Sequence, residues 1–317
     1  ANSIINNNKG EIGNFSRNYK YVDLAPITGY TDPIYGQAGL EESLDDYLRG
    51  LRGNPTGKVW WSNLLYGMNP DGLHVRLSID LYLQNRTDEM MVGSSGAVVL
   101  MNAKSGEILV MSSHPTFNPN HLAESGTKLL VDPGKPLINR ATLGQYPTGT
   151  TIMEPFIQAL LGDSTANETF MVNVYEAFGF YQTPQIQLPT APASTKADIA
   201  LTRVSPLQMA LASAAFSNHG VIPAPRIAMG VNTPSEGWVS LQALGTPIEA
   251  LQASAADEAV SSYLVENQTY WQHYGVAREK ASSFTWFIGG TSPSWQATPL
   301  VIVIVLVQPL VAQSAKD

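Results

Sequence analysis

The chain has 317 residues, 44% hydrophobic and 14% charged, which fits a folded protein with room for one large domain and a smaller attachment. Its net charge of −8 and pI near 5.1 give no basic footprint for nucleic acid, and the lack of cysteine excludes disulfides and thiolate metal sites. His74, His114, His121, His219 and His273 are scattered without metal-ligand spacing, so no metal and no cofactor is expected. The apolar run at 301–307 is too short to span a bilayer.

Residues 1–20 are rich in Asn, Lys and Gly and are expected to be coil or a loose edge; Ser16-Arg17-Asn18 spells Ser-x-Asn within this tract and is read as coincidence. Gly and Pro between 26 and 39 predict turns with a short strand. Leu40, Leu44, Tyr47 and Leu48 have the spacing of a short amphipathic helix. Residues 50–71, with Trp60, Trp61, Leu64 and Leu65 among Gly, Asn and Pro, read as a boundary region. Alternation over 74–79 predicts a half-buried strand, after which Asp80 is placed to cap a helix carrying Leu83, Met90 and Met91.

Residues 96–101 and 107–111 are β-rich and flank Asn102-Ala103-Lys104-Ser105-Gly106, a hairpin with a Gly-closed turn. Lys104-Ser105-Gly106 looks like a Lys-Ser-Gly catalytic triplet, but at a hairpin tip it is expected to be a solvated turn. The single literal Ser-x-x-Lys, Ser125-Gly126-Thr127-Lys128, lies among Gly, Pro and Asp and is expected to be loop.

The stretch 146–156 has the form of a helix-starting nucleophile site: a Pro/Gly turn, the hydroxyl pair Thr150-Thr151, then the apolar Ile157, Ala159, Leu160 and Leu161. In Ser-x-x-Lys acyl-enzymes a Lys one turn after the Ser takes its proton. Here Met153 stands three residues after Thr150 and cannot accept a proton, and Glu154 stands three after Thr151, where an ordinary Glu, with a pKa of about 4.3, is a poor match for deprotonating an alcohol. Thr-x-x-Glu is also a capping box, in which Thr151 would hold the third helical N–H and Glu154 would reach back. Further on, 170–180 predicts a core helix stopped by Gly179, and 182–196 a Pro-rich loop. Residues 205–220 form the clearest helix, capped by Ser205, opened by Pro206 and closed by Gly220. A helix is predicted over 257–270, and buried strands over 285–289 and 300–307 joined by a turn at 292–298.

Taken in this order, several segments resemble the penicillin-binding protein family, and more narrowly its class B transpeptidases. Leu77-Ser78-Ile79-Asp80-Leu81-Tyr82-Leu83-Gln84 is similar to the family's domain-opening Leu-Thr-Ile-Asp…Gln. Gly96-Ala97-Val98-Val99, Ser105-Gly106-Glu107-Ile108-Leu109 and Ser113-His114-Pro115 are similar to its first hairpin. Asn139-Arg140-Ala141 precedes the active-site helix as it does there. Ser205-Pro206-Leu207-Gln208-Met209-Ala210 is similar to its Thr-Pro-Leu-Gln-Met-Ala helix, and Trp286-Phe287-Ile288-Gly289 to its Trp-Phe-x-Gly strand. The resemblance implies an α+β fold, an antiparallel sheet flanked by helices plus a helical subdomain, with residues 1–72 as a pedestal remnant and 73–317 as the transpeptidase-like domain.

The family's chemistry rests on Ser-x-x-Lys, Ser-x-Asn and Lys-Thr/Ser-Gly. At the corresponding places this chain has Thr150-Thr151-Ile152-Met153-Glu154, Thr165-Ala166-Asn167 and His273-Tyr274-Gly275. The resemblance thus makes Thr150, Thr151, Glu154, Thr165, Asn167, His273 and Gly275 the candidate site. It implies a protein of peptidoglycan assembly, catalytically degenerate and acting by binding or scaffolding; the alternative is a slow D,D-transpeptidase or carboxypeptidase acylated by β-lactams through Thr150 or Thr151. Expected partners are a peptidoglycan stem peptide or β-lactam and cell-wall assembly proteins, with no nucleic acid. The expected location is extracytoplasmic, with the membrane reached only through an anchor upstream of Ala1.

Overall fold

The computed structural model describes residues 2–5, 15–67, 71–161, 168–194, 202–279 and 281–309. The chain divides into two compact units: Ala1–Leu77 with Pro115–Ile138 and Ala228–Gln242, and Ser78–His114 with Asn139–Ile227 and Ala243–Asp317.

The second unit is built on a five-stranded antiparallel sheet. Its order is Tyr270–Glu279, Ser282–Thr291, Leu300–Pro309, Gly96–Asn102, Ile108–His114. Period-two patterning sets the register. Val301, Val303 and Val305 lie on one face, paired across the sheet with Met101, Val99 and Ala97, and all six are buried. Each such valine contributes about 1.5–3 kcal/mol by leaving water.

The helix Pro206–Ser217 covers this face, and every one of its residues is buried. Its small residues allow close approach. At Gly290 an added Cβ would fall 2.5 Å from Ser217 Oγ, so glycine is needed there. Ser217 Oγ accepts from Trp271 Nε1 at 3.0 Å and donates to the Thr291 carbonyl at 2.8 Å, fastening helix to sheet. The helix opens on the expected capping box, in which Ser205 Oγ accepts from Gln208 N and Gln208 Oε1 accepts from Ser205 N.

On the other face, Leu81–Met91 packs along the strand Ile108–His114. Asp80 caps it as expected, accepting from Tyr82 N and Leu83 N at 2.9 and 3.0 Å. A buried polar group joins helix and strand: Asp88 accepts from Ser112, His114 and Gln84. Helices on both faces of an antiparallel sheet make this the α+β architecture that the family resemblance implied.

The first unit holds a three-stranded antiparallel sheet in the order Gly237–Ser240, Ala228–Thr233, His74–Leu77, and a small apolar cluster of Ala25, Phe117 and Leu122. In it Glu41 is 3% exposed, accepts from Thr31 Oγ1, and pairs with Arg17 at 3.1 Å; burial pushes its carboxyl above the ordinary range, opposed by the Arg17 charge.

Several local expectations are corrected. Asn2–Ile5 and Phe15–Asn18 pair as antiparallel strands where coil or a loose edge was expected, and the boundary region contains an 11-residue helix, Thr56–Tyr66. The helix expected at 40–48 is two short helices, Gly39–Ser43 and Asp45–Leu48, meeting at Leu44. The helix expected at 257–270 is Ala253–Ser261; the chain then turns through Asn267, at φ +60°, because Trp271 must enter the sheet.

Ser125-Gly126-Thr127-Lys128 lies within the helix Leu122–Val131 and not in a loop. Gly126, a weak helix former, is tolerated there because the Tyr35 ring fills the space a Cβ would occupy, 2.4 Å away. The Ser125 hydroxyl donates back to the His121 carbonyl at 2.7 Å, so this literal Ser-x-x-Lys is helix surface. At the 102–106 turn the expectation is met: Asn102 Oδ1 accepts from Lys104 N and Ser105 N, and Gly106 has φ +75°.

Candidate functional site

The hydroxyl pair Thr150-Thr151 is carried on a short approach. Tyr146–Pro147 pairs with Arg203–Val204, Gly149 turns the chain at φ +68°, a 3₁₀ turn follows over Thr151–Met153, and the helix Glu154–Leu161 continues from it. Pro155 sits in that helix's first turn, where its missing N–H costs no hydrogen bond. Phe156 is fully buried, its ring 4.9 Å from Phe178, 6.0 Å from Phe180 and 5.1 Å from Phe216. This aromatic cluster anchors the helix start.

The approach rests against the sheet's edge strand. Gly275 faces Ile152 so closely that a Cβ there would lie 2.7 Å from the Ile152 nitrogen. Trp286, paired with Gly275 on the next strand, donates from Nε1 to the Pro147 carbonyl at 2.8 Å. Arg203 pairs with Glu279 at the far end of the edge strand. The segments 150–154 and 273–275, distant in sequence, are thereby brought side by side. Thr165 and Asn167 lie outside the described residues.

His273 Nε2 lies 2.7 Å from the Thr151 carbonyl oxygen. A carbonyl only accepts, so Nε2 carries the proton and donates it. Glu154 Oε2 stands 3.8 Å from the same nitrogen, and the Tyr263 ring meets the imidazole edge-on at 4.9 Å. Burial, with Glu154 nearby, pushes the Tyr263 hydroxyl above its ordinary value. His273 is therefore committed to holding the 3₁₀ turn, with its Nε2 unable to receive a proton from a threonine.

The capping-box expectation for Thr151 fails. Thr151 is inside the 3₁₀ turn, and Thr150, which precedes it, is already helical at φ −77° and ψ −40°, with no side-chain cap bond. A capping side chain reaches the free N–H groups only from an extended residue. Both threonines are exposed, and neither hydroxyl has a hydrogen-bond partner among the described residues. Glu154 faces His273 instead of reaching back. Met153 is 0% exposed, so an apolar thioether occupies the interior one turn after Thr150.

Three contacts were invisible to sequence reasoning. Tyr263 beside His273 and Trp286 on Pro147 come from chain segments with no shared motif. Thr148 Oγ1 lies 2.6 Å from the buried Tyr175 hydroxyl. Burial holds the Tyr175 and Tyr146 hydroxyls up at about 12. Both groups bind their protons more tightly folded than unfolded, so their stabilisation is complete below pH 10 and is lost as pH rises from 10 towards 12. Urea titrations at pH 8, 10 and 11 are expected to show a steep loss above pH 10 that Tyr175→Phe makes shallower.

Cavities of about 250 and 220 Å³ are lined by residues of the other unit, among them Tyr47, Arg52 and Val239 in the one and Asn54, Lys58 and Asn232 in the other, and not by Thr150 or His273.

A five-stranded antiparallel sheet with helices on both faces, and a hydroxyl-bearing turn that starts a helix beside the edge strand, define a transpeptidase-type fold. Residues 96–157 match the family model of the penicillin binding protein transpeptidase domain. Among curated relatives, the peptidoglycan D,D-transpeptidase MrdA of Escherichia coli is 31% identical over 157 residues, 48% of this chain and 23% of that protein. The peptidoglycan D,D-transpeptidase PbpA of Mycolicibacterium smegmatis is 34% identical over 140 residues, 40% of this chain and 28% of that protein. The chain thus matches about a quarter of these relatives' length. The crystal structure of PBPA from Mycobacterium tuberculosis superposes with a TM-score of 0.78 at 20% identity, covering 96% of this chain and 90% of that one, and shows the same fold. The matched segment, these relatives and the shared fold together support a class B penicillin-binding-protein-family protein.

Proposed function

We propose that this chain is a penicillin-binding-protein-like component of peptidoglycan assembly that has lost acylation and acts by binding or scaffolding. The observation that carries this is the 0% exposure of Met153, an apolar group at the place of the general base. Acyl transfer by a hydroxyl needs a base within hydrogen-bond reach. Of the two titratable groups beside the threonines, His273 already donates from Nε2 to the Thr151 carbonyl, and Glu154, a weakly basic carboxylate, faces His273. Removing one member of such a catalytic unit costs thousands-fold or more in rate. The retained match over 96–157 and the retained architecture support a kept binding surface beside the edge strand, its occupant a peptidoglycan stem peptide or β-lactam. The division into a pedestal remnant at 1–72 and a transpeptidase-like domain at 73–317, and a location outside the cytoplasmic membrane, are parts of the same proposal.

The test is incubation with a fluorescent penicillin followed by intact-protein mass spectrometry. No covalent adduct is expected even at high drug concentration and long times. An adduct that disappears in Thr150→Ala or Thr151→Ala overturns the proposal and makes that threonine a nucleophile.

A further inference from the structure

The helix Thr56–Tyr66 presents an unusual surface for an acidic, ordinary globular chain. Trp60, Trp61, Leu64 and Leu65 are 60%, 53%, 60% and 50% exposed. At about 100° per residue these four fall within an arc of roughly 140°, a single apolar stripe. Val59, outside that arc, is half-buried. The Trp60 and Trp61 rings lie 5.9 Å apart and face solvent together.

Charge singles out what covers the stripe. The whole chain carries −8, yet residues 47–67 contain Arg49, Arg52 and Lys58 and no Asp or Glu; Arg49 pairs with Asp45 at 3.3 Å, which leaves Arg52 and Lys58 as the cations beside the stripe. Lys58 is on the helix itself and exposed; Arg52 is exposed and stacks over the Tyr47 ring at 4.9 Å. The flanking carboxylates along the chain are Asp46 and Asp71. Paired tryptophans and leucines on one face with cations beside them suit the boundary between lipid headgroups and acyl chains. An 11-residue helix is about 16 Å long, too short to cross a bilayer, so it would lie flat in that boundary.

We infer that the Thr56–Tyr66 helix is an interfacial docking element that inserts Trp60, Trp61, Leu64 and Leu65 into the surface of an anionic lipid bilayer. It is independent of whether Thr150 or Thr151 retains chemistry.

The test uses the full chain with vesicles of phosphatidylcholine alone and of phosphatidylcholine mixed with phosphatidylglycerol, read by flotation and tryptophan emission. Binding to the mixed vesicles with a blue shift is expected, and it is expected to be weaker on the neutral ones. The double change Trp60→Ser with Trp61→Ser is expected to weaken binding at least about tenfold, and Lys58→Glu to weaken it selectively on anionic vesicles. These side chains are exposed, so circular dichroism and the melting midpoint should be unchanged in both variants. As a check needing no variant, brominated lipids are expected to quench part of the wild-type emission. No flotation of the wild type, flotation unaffected by the double change, or no quenching overturns the inference. So does sedimentation showing a dimer that the double change dissolves, which would give the stripe to a second copy of the chain.

Discussion

Met153→Lys is expected to lower the unfolding free energy by about 3 kcal/mol or more, the largest effect of any single change at the candidate site. Lys is similar in length to Met, so the space stays filled and the cost comes from the charge. Met153 is 0% exposed, and a buried ammonium without a partner is driven towards its neutral form. The folded state then binds fewer protons than the unfolded one below about pH 10, so the deficit should be greatest at low pH and shrink as pH rises. Urea unfolding at pH 6.5 and 9 measures this, with Met153→Leu as the volume control expected to cost under about 1.5 kcal/mol. A loss below about 1 kcal/mol with no pH dependence would mean that the interior still accommodates a cation. That outcome would remove the principal support for a lost acylation chemistry.

Asp88→Ala should cost about 3–5 kcal/mol, at a place remote in sequence from every catalytic motif. Asp88 is 2% exposed and lies between the helix Leu81–Met91 and the strand Ile108–His114. Its Oδ1 accepts from Ser112 Oγ at 2.5 Å and from His114 Nε2 at 3.1 Å, and its Oδ2 accepts from Gln84 Nε2 at 2.9 Å. Truncation leaves the donors of Ser112 and His114 buried without their acceptor. Asp88→Asn preserves shape and one acceptor oxygen, and should cost roughly half as much. Denaturant unfolding gives the totals. Hydrogen exchange at the Met111 amide, which donates to Gln84 Oε1 at 2.9 Å, reports whether the helix loosens from the sheet locally. Equal costs for both variants would mean that packing, not the polar group, fastens the helix.

Much of the fold was legible because its signals are local. Ser205, Pro206 and Gln208 announce a helix start through bonds made within four residues, and Asp80 does the same. The valine alternation at 301–305 and the turn at 102–106 need only neighbouring residues to be understood. The Leu122–Val131 helix was not legible, since Gly126 argues against it until Tyr35, far away in the chain, is seen to need the space. The helix Thr56–Tyr66 was hidden by its Gly- and Pro-rich flanks.

At the candidate site the division is sharper. Residue identity alone puts Met153 three positions after Thr150, Glu154 three after Thr151 and His273-Tyr274-Gly275 ahead of Trp286, and it is the family resemblance that reads these as the places of a base and of a Lys-Thr/Ser-Gly triplet. Only the tertiary structure decided what those residues do instead. Gly275 can abut Ile152 because it lacks a Cβ, and this closeness lets His273 donate to the Thr151 carbonyl. Thr151 is not a cap because the residue before it is already helical, a backbone angle that no local sequence pattern specifies. The sequence set two threonines with Met153 and Glu154 one turn on; the packing of an edge strand against a helix start, through contacts between residues more than a hundred positions apart, decided where their neighbours' protons go.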